Sequence, residues 1–217
     1  GNCYSQFYDV YDIHAVQNEG TTTDPKLYVT EYLERDMHNA IRKNYILFAE
    51  SAFEASPTAI QARDDKLKFH ARKIGAELVI LSRRYKYQEQ STRVQPRYVP
   101  EKTTKTETTG RIGRSNVTAT TRTKEPARIE FDETQVNESR LAYNALYFVK
   151  RKIPPRLGII HKNLPPELRQ ELERNTGVVV SVVIDDSPAF YSNIIEGDVI
   201  ISVNGTPVRN TEYFREL

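Results

Sequence analysis

The sequence predicts an α+β chain: a small α/β part carrying a long β-hairpin, then a strand-rich part with short helices. Three observations carry this. First, "NYILFAESAF", a helical pattern and "AELVILSRRYKYQ" follow one another closely between residues 44 and 88. Second, a Thr- and Arg-rich stretch poor in aliphatic residues fills about 91–127. Third, after a basic stretch with a Pro pair, "GVVVSVVID" and "EGDVIISVNGTPV" set short apolar runs among turn residues.

A chain of 217 residues suits one large domain or two small ones. With 38% hydrophobic and 28% charged residues it can bury a core. The formal net charge of +2, from 31 basic and 29 acidic residues, argues against nucleic-acid binding driven by bulk charge. Local patches stay open. Cys3 is the single cysteine, so no intramolecular disulfide can form. No apolar run is long enough to cross a bilayer as a helix, and none follows a charged segment as in an export signal. If the protein is exported, its leader has been removed. Two readings of Cys3 then stand: an ordinary free thiol, or the lipid-bearing cysteine of a processed bacterial lipoprotein. Asn2 is not the small residue that such processing prefers.

Along the chain, residues 1–24 are rich in tyrosine and polar residues and read as an extended arm. In "KLYVTEYLERDMHNAIRK", Leu27, Leu33, Met37 and Ile41 fall near helical spacing, which predicts a helix. Asn44 to Phe53 reads as a strand. Ser56-Pro57 reads as an N-cap and first helical position, opening a helix with Ile60, Leu67, Ala71 and Ile74 on one face. Gly75 closes it. The strand from Ala76 follows at once, so the segment reads as a βαβ-like unit. The stretch at 91–127 reads as an exposed hairpin with its tip near "GRIGR", or as a basic finger that meets a partner. Leu141, Tyr143, Ala145, Tyr147 and Val149 alternate as a strand. "KRKIPPRLG" marks a border near Ile153. The expected organisation is thus an arm at 1–24, an α/β domain at 25–152 and a second domain at 153–217.

Residues 156–217 resemble a PDZ domain, of the circularly permuted bacterial kind found beside high-temperature-requirement serine proteases. "RLGI" (156–159) resembles the carboxylate-binding loop and "LPPELRQEL" the short helix after the first strand. "GVVVSVVIDDSPA" resembles the next strand and its turn into a helix, and "EGDVIISVNGTPV" the closing hairpin. Ser187-Pro188 has the form of a capped helix start, and Asn204-Gly205 suits a type I′ turn. Asn193 stands where the family usually has a left-handed glycine. The resemblance implies that a peptide adds as a strand, with its C-terminal carboxylate held on loop N–H groups. Leu157, Gly158 and Ile159 would hold the carboxylate, with Leu157 also lining the terminal side-chain pocket. Ile159, Ile160 and His161 would supply the pairing edge. Arg156 would add charge, and His161 reads as a solvent-side strand residue. The sequence stops at Leu217 inside "RNTEYFREL", which resembles the first turns of the far wall of the groove, so a longer native chain is expected. "ARKIGAELVIL" and "LAYNALYFVKRK" are similar to a small α/β domain of bacterial envelope proteins.

No nucleophile motif, H-E-x-x-H or phosphate loop is present, and His14, His38, His70 and His161 are scattered. Asp64-Asp65 and Asp185-Asp186 read as a solvated helix face and a turn. The expectation is therefore a non-catalytic envelope protein without cofactor or metal, periplasmic or outer-envelope. Its partners would be protein C-termini or extended peptides, with no nucleic acid and membrane contact only through a lipid on Cys3. The alternative is a regulatory or substrate-recruiting portion of a protease whose catalytic part lies elsewhere.

Overall fold

The computed structural model describes residues 1–11 and 24–217, leaving out the side chain of Ile112. His14 and the Thr run after Gly20 lie outside the described residues. The architecture is mixed α+β, dominated by strands with a few short helices. It forms two compact units: Gly1–Lys86 together with Arg140–Leu217, and Tyr87–Ser139.

The first unit contains a five-stranded sheet in the order β1-β3-β7-β4-β2. Its strands are β1 (Tyr8–Val10), β2 (Lys26–Thr30), β3 (Tyr45–Ala55), β4 (Leu78–Val99) and β7 (Arg128–Lys150). The strands β4 and β7 continue into the second unit. Among the described residues, the helices α1 (Cys3–Gln6), α2 (Leu33–Arg42) and α3 (Asp64–Lys73) accompany the sheet. Side chains alternate across the sheet, so its two faces build two cores. Val79 and Leu81 of β4, with Tyr143, Ala145, Tyr147 and Val149 of β7, pack with Tyr4 of α1 and Leu67 and Ala71 of α3. Leu78, Ile80, Leu146 and Phe148 point the other way and meet Leu33, Met37 and Ala40 of α2.

Several expectations change. The strand, helix, strand order of β3, α3 and β4 is present, but β7 lies between β3 and β4. The alternating Tyr143–Val149 segment is apolar on both faces, which suits an interior strand with a neighbour on each side. The first five residues of "KLYVTEYLERDMHNAIRK" form β2, paired in parallel with β4 from Lys26↔Leu78 to Thr30↔Ser82. Tyr28, Val29 and Thr30 are strand formers, and pairing overrides the loose helical spacing. Ser56 does not cap a helix: its hydroxyl accepts from the Thr58 N–H in a turn. A 3₁₀ turn at Ile60–Ala62 follows, and α3 starts at Asp64, with Asp64 and Asp65 at the positive end of the helix dipole. Ile60 is consequently exposed. Residues 3–10, expected as part of an arm, form α1 and β1. Tyr4 is fully buried; its hydroxyl donates to the Ala62 carbonyl at 2.9 Å, and its own carbonyl accepts from Ser51 Oγ at 2.7 Å.

The rest of the first unit is a three-stranded antiparallel sheet in the order β10-β9-β8. It comprises β8 (Ile159–Asn163), β9 (Val178–Val183) and β10 (Val199–Ile200). The central strand β9 is buried along both faces except at Ser181. Around the sheet stand α4 (Pro166–Glu171), α5 (Pro188–Tyr191), the small hairpin of β11 (Ser202–Val203) and β12 (Thr206–Pro207), and α6 (Thr211–Glu216). Ser187 caps α5, accepting from the Phe190 N–H. Asn193 adopts φ +59°, the left-handed conformation expected at that position. Asn204 and Gly205, both at positive φ, link the paired Val203 and Thr206 as a type I′ turn requires.

In the second unit, β5 (Lys102–Ile112) and β6 (Ser115–Glu125) form a regular antiparallel ribbon from Lys102↔Glu125 to Ile112↔Ser115. Its two-residue tip is Gly113-Arg114. Gly113, at φ +63°, stands first in the turn, where a type II′ hairpin needs glycine.

Candidate functional site

Among the described residues the strand β8 pairs only with β9, so its other side is an open sheet edge there. The ladder decides which backbone groups face that edge. The Ile184 N–H donates to the Gly158 carbonyl at 2.8 Å, one step before Ile159 in the ladder. Antiparallel pairing alternates, so Ile159, opposite Val183, turns its N–H and C=O away from β9. One residue is bulged out of register between Ile160 and His161. Beyond it, His161 lies opposite Val180. Val180 spends both backbone groups on the β10 side, donating to Asp198 and accepting from Gly197. His161 therefore also presents its backbone groups to the open edge.

The loop before β8 has a matching polarity. The Leu157 carbonyl accepts from the Ala189 N–H at 2.9 Å, and the Gly158 carbonyl accepts from Ile184 and from Ser187 Oγ. A trans peptide plane points its N–H opposite its C=O, and no bond here is cis. The N–H groups of Gly158 and Ile159 thus face away from α5 and β9. Two successive outward N–H groups form a small anion-binding nest. Gly158 is required for it: φ is +87°, and a Cβ would stand 2.1 Å from Ser187 Cβ.

The far wall is α6. Thr211 N–H donates to Asn163 Oδ1 at 2.9 Å, tying the start of the helix to the end of β8. The Phe214 ring meets the His161 ring edge-on at 4.6 Å between centroids. His161 is therefore a half-buried groove residue and not the solvent-side one expected. Burial, helped by Arg215 and opposed by Glu212, lowers its pKa and favours neutral imidazole. Its Nδ1 has no hydrogen-bond partner among the described residues. Leu157 and Ile159 turn inward against Val180, Val183 and Ala189. Ile160 and Arg156 are exposed.

Residues 149–215 are a PDZ domain. They match the family model described as "PDZ domain". No curated protein and no solved structure matches the chain. A PDZ domain is a peptide-binding module of protein–protein interaction, and the open edge, the nest and the helix wall occupy the positions such binding needs.

The predicted residues Leu157, Gly158, Ile159 and His161 converge on this site. Phe214, Asn163 and Ser187 were missed as site residues. Ser187 was legible as a helix cap, but its packing on Gly158 joins residues far apart in sequence. α2 braces the turn behind the loop: the Arg42 carbonyl accepts from the Asp185 N–H, and its guanidinium meets the Asp185 carboxylate at 3.0 Å. His38 Nε2 lies 2.8 Å from Glu196. Asp64 is paired with Arg83 and Asp65 with Arg63, so neither acidic pair forms a site. Among the described residues no cluster of His, Cys, Asp and Glu could hold a metal. Cys3 is a half-buried free thiol packed against the core.

Proposed function

We propose that this chain is a non-catalytic bacterial envelope protein whose PDZ domain captures protein C-termini or extended peptides by strand addition. The observation that carries the reading is the alignment of the outward backbone groups of Ile159 and His161 with the outward N–H pair of Gly158 and Ile159. A peptide strand on β8 would run antiparallel to it and bring its terminal carboxylate to the nest. Leu157 and Ile159 would form the floor under the terminal side chain. The resemblance of 156–217 to the permuted PDZ domains of envelope proteases supports the envelope assignment and that class of PDZ domain. A lipid on Cys3 belongs to the same reading.

The test is titration of the chain with a library of peptides, each as free acid and as C-terminal amide. Charge-assisted hydrogen bonds to the nest are worth about 1.5–3 kcal/mol, so free acids should bind at least about tenfold tighter. Equal binding of the two forms, or none, would sink the proposal. Cell fractionation, with mass spectrometry of the native N-terminus, tests the envelope and lipid parts separately.

A further inference from the structure

The second unit has a pattern that the PDZ domain does not use. Between residues 93 and 111 the ascending strand carries Arg93, Arg97, Glu101, Lys102, Lys105, Glu107 and Arg111. All but Lys102 have odd numbers. Between 115 and 132 the descending strand carries Arg122, Lys124, Glu125, Arg128, Glu130 and Asp132, and all but Glu125 have even numbers. Lys102 and Glu125, the two out of phase, sit directly opposite each other. Strand side chains alternate between faces, and the register pairs odd residues of β5 with even residues of β6. Charge is therefore concentrated on one face; the other keeps Lys102 opposite Glu125, and Glu133 two residues beyond Phe131. Cross-strand ion pairs agree: Arg97 meets Glu130 at 2.7 Å and Asp132 at 3.0 Å, and Lys124 meets Glu101 at 3.0 Å. The joints between β4 and β5 and between β6 and β7 are each two residues long, an even number that preserves the phase.

The opposite face carries Val94, Tyr98, Ile129 and Phe131, which are 51%, 69%, 63% and 67% exposed. It continues along β5 and β6 as Thr104, Thr106, Thr108, Thr121 and Thr123, with Ala119. A two-stranded ribbon is marginal in water without a second layer on its apolar face. We propose that this charge-poor face is an interface for a second copy of this chain, the two ribbons stacking face to face. The face runs about 20 residues at ~3.3 Å each and is two strands wide, a footprint on the order of 600–700 Å². Side-chain relief raises the accessible area toward the ~800 Å² per partner of a stable interface. The small threonine and alanine side chains along β5 and β6 permit the ~10 Å stacking of two sheets, and a two-fold axis sets the same face of each copy against the other. The faces that carry most of the charge stay in water. Threonine hydroxyls dominate the tip half, which does not suit the apolar band of a lipid-facing hairpin.

Sedimentation of the chain, unmodified and with Thr106→Lys or Thr120→Lys, tests this. The two substitutions add the same charge to opposite faces of neighbouring strands. A dimer is expected. Thr106→Lys should raise its dissociation constant at least about tenfold, and Thr120→Lys should leave it within about threefold. Phe131→Glu, in the apolar half, should act like Thr106→Lys, and circular dichroism checks that each variant keeps its strands. A monomer at about 100 μM overturns the proposal. So does equal sensitivity of both faces, or flotation of a monomer with phosphatidylcholine–phosphatidylglycerol vesicles.

Discussion

Gly158 combines a left-handed backbone with a contact that leaves no room for a methyl group. Gly158→Ala combines backbone strain of about 1–3 kcal/mol with overpacking of similar size. Urea unfolding should show a loss of at least about 2 kcal/mol, and peptide binding should weaken with it. Ser51 is a second residue with no slack: fully buried, it donates to the Tyr4 carbonyl and lies 2.9 Å from the Tyr147 hydroxyl. Ser51→Ala strands one or both, at about 1–3 kcal/mol each. His70 is buried between the Tyr8 and Tyr147 rings, and neither of its nitrogens has a hydrogen-bond partner among the described residues. Burial first, and Lys73 second, push its pKa down to about 4. The folded state thus refuses a proton that the unfolded chain takes up near pH 6.5. The stability contribution is full above that value and is lost as pH falls from about 6.5 to 4, amounting to about 3 kcal/mol. Unfolding followed between pH 7 and 4 should show this slope, and His70→Leu should flatten it.

Among the elements, α2 and the turn after β9 meet through an ion pair, Arg42 with Asp185, whose partners are both more than a third exposed. Such a pair is worth only about 0–1 kcal/mol, so Arg42→Ala should barely move the unfolding midpoint. The α3 helix is different. Leu67 is fully buried in the core beneath the sheet, and Leu67→Ala should cost about 2–5 kcal/mol. The ribbon shows a third case. Its two-residue alternation was open to inspection in the sequence, but a Thr-rich stretch offers no hydrophobic signal to draw attention to it. Only the register Lys102↔Glu125 shows that its two exceptions are partners.

For the whole molecule, the division at Lys86 and Arg140 predicts that the second unit is separable. Replacing Tyr87–Ser139 by an Asn-Gly turn should leave the near-ultraviolet dichroism of the remainder intact and abolish dimer formation. Features that depend on neighbours along the chain were legible in the residues themselves. Asn193 and Asn204-Gly205 have the backbone their residue types allow, Ser187 caps its helix, and Gly158 is the glycine the loop requires. Tertiary structure alone decided what depends on distant partners. β7 enters between β3 and β4 because both its faces are apolar, and β2 is a strand because β4 offers an edge. Ser56, a good cap locally, yields to a turn because the chain must first place Ala62 against Tyr4. In the groove, the sequence located the loop, while the ladder on β9 selected the backbone groups that face a ligand. Local conformation follows from a residue's own sterics, but burial and pairing free energies are larger and come from residues that the chain order keeps apart.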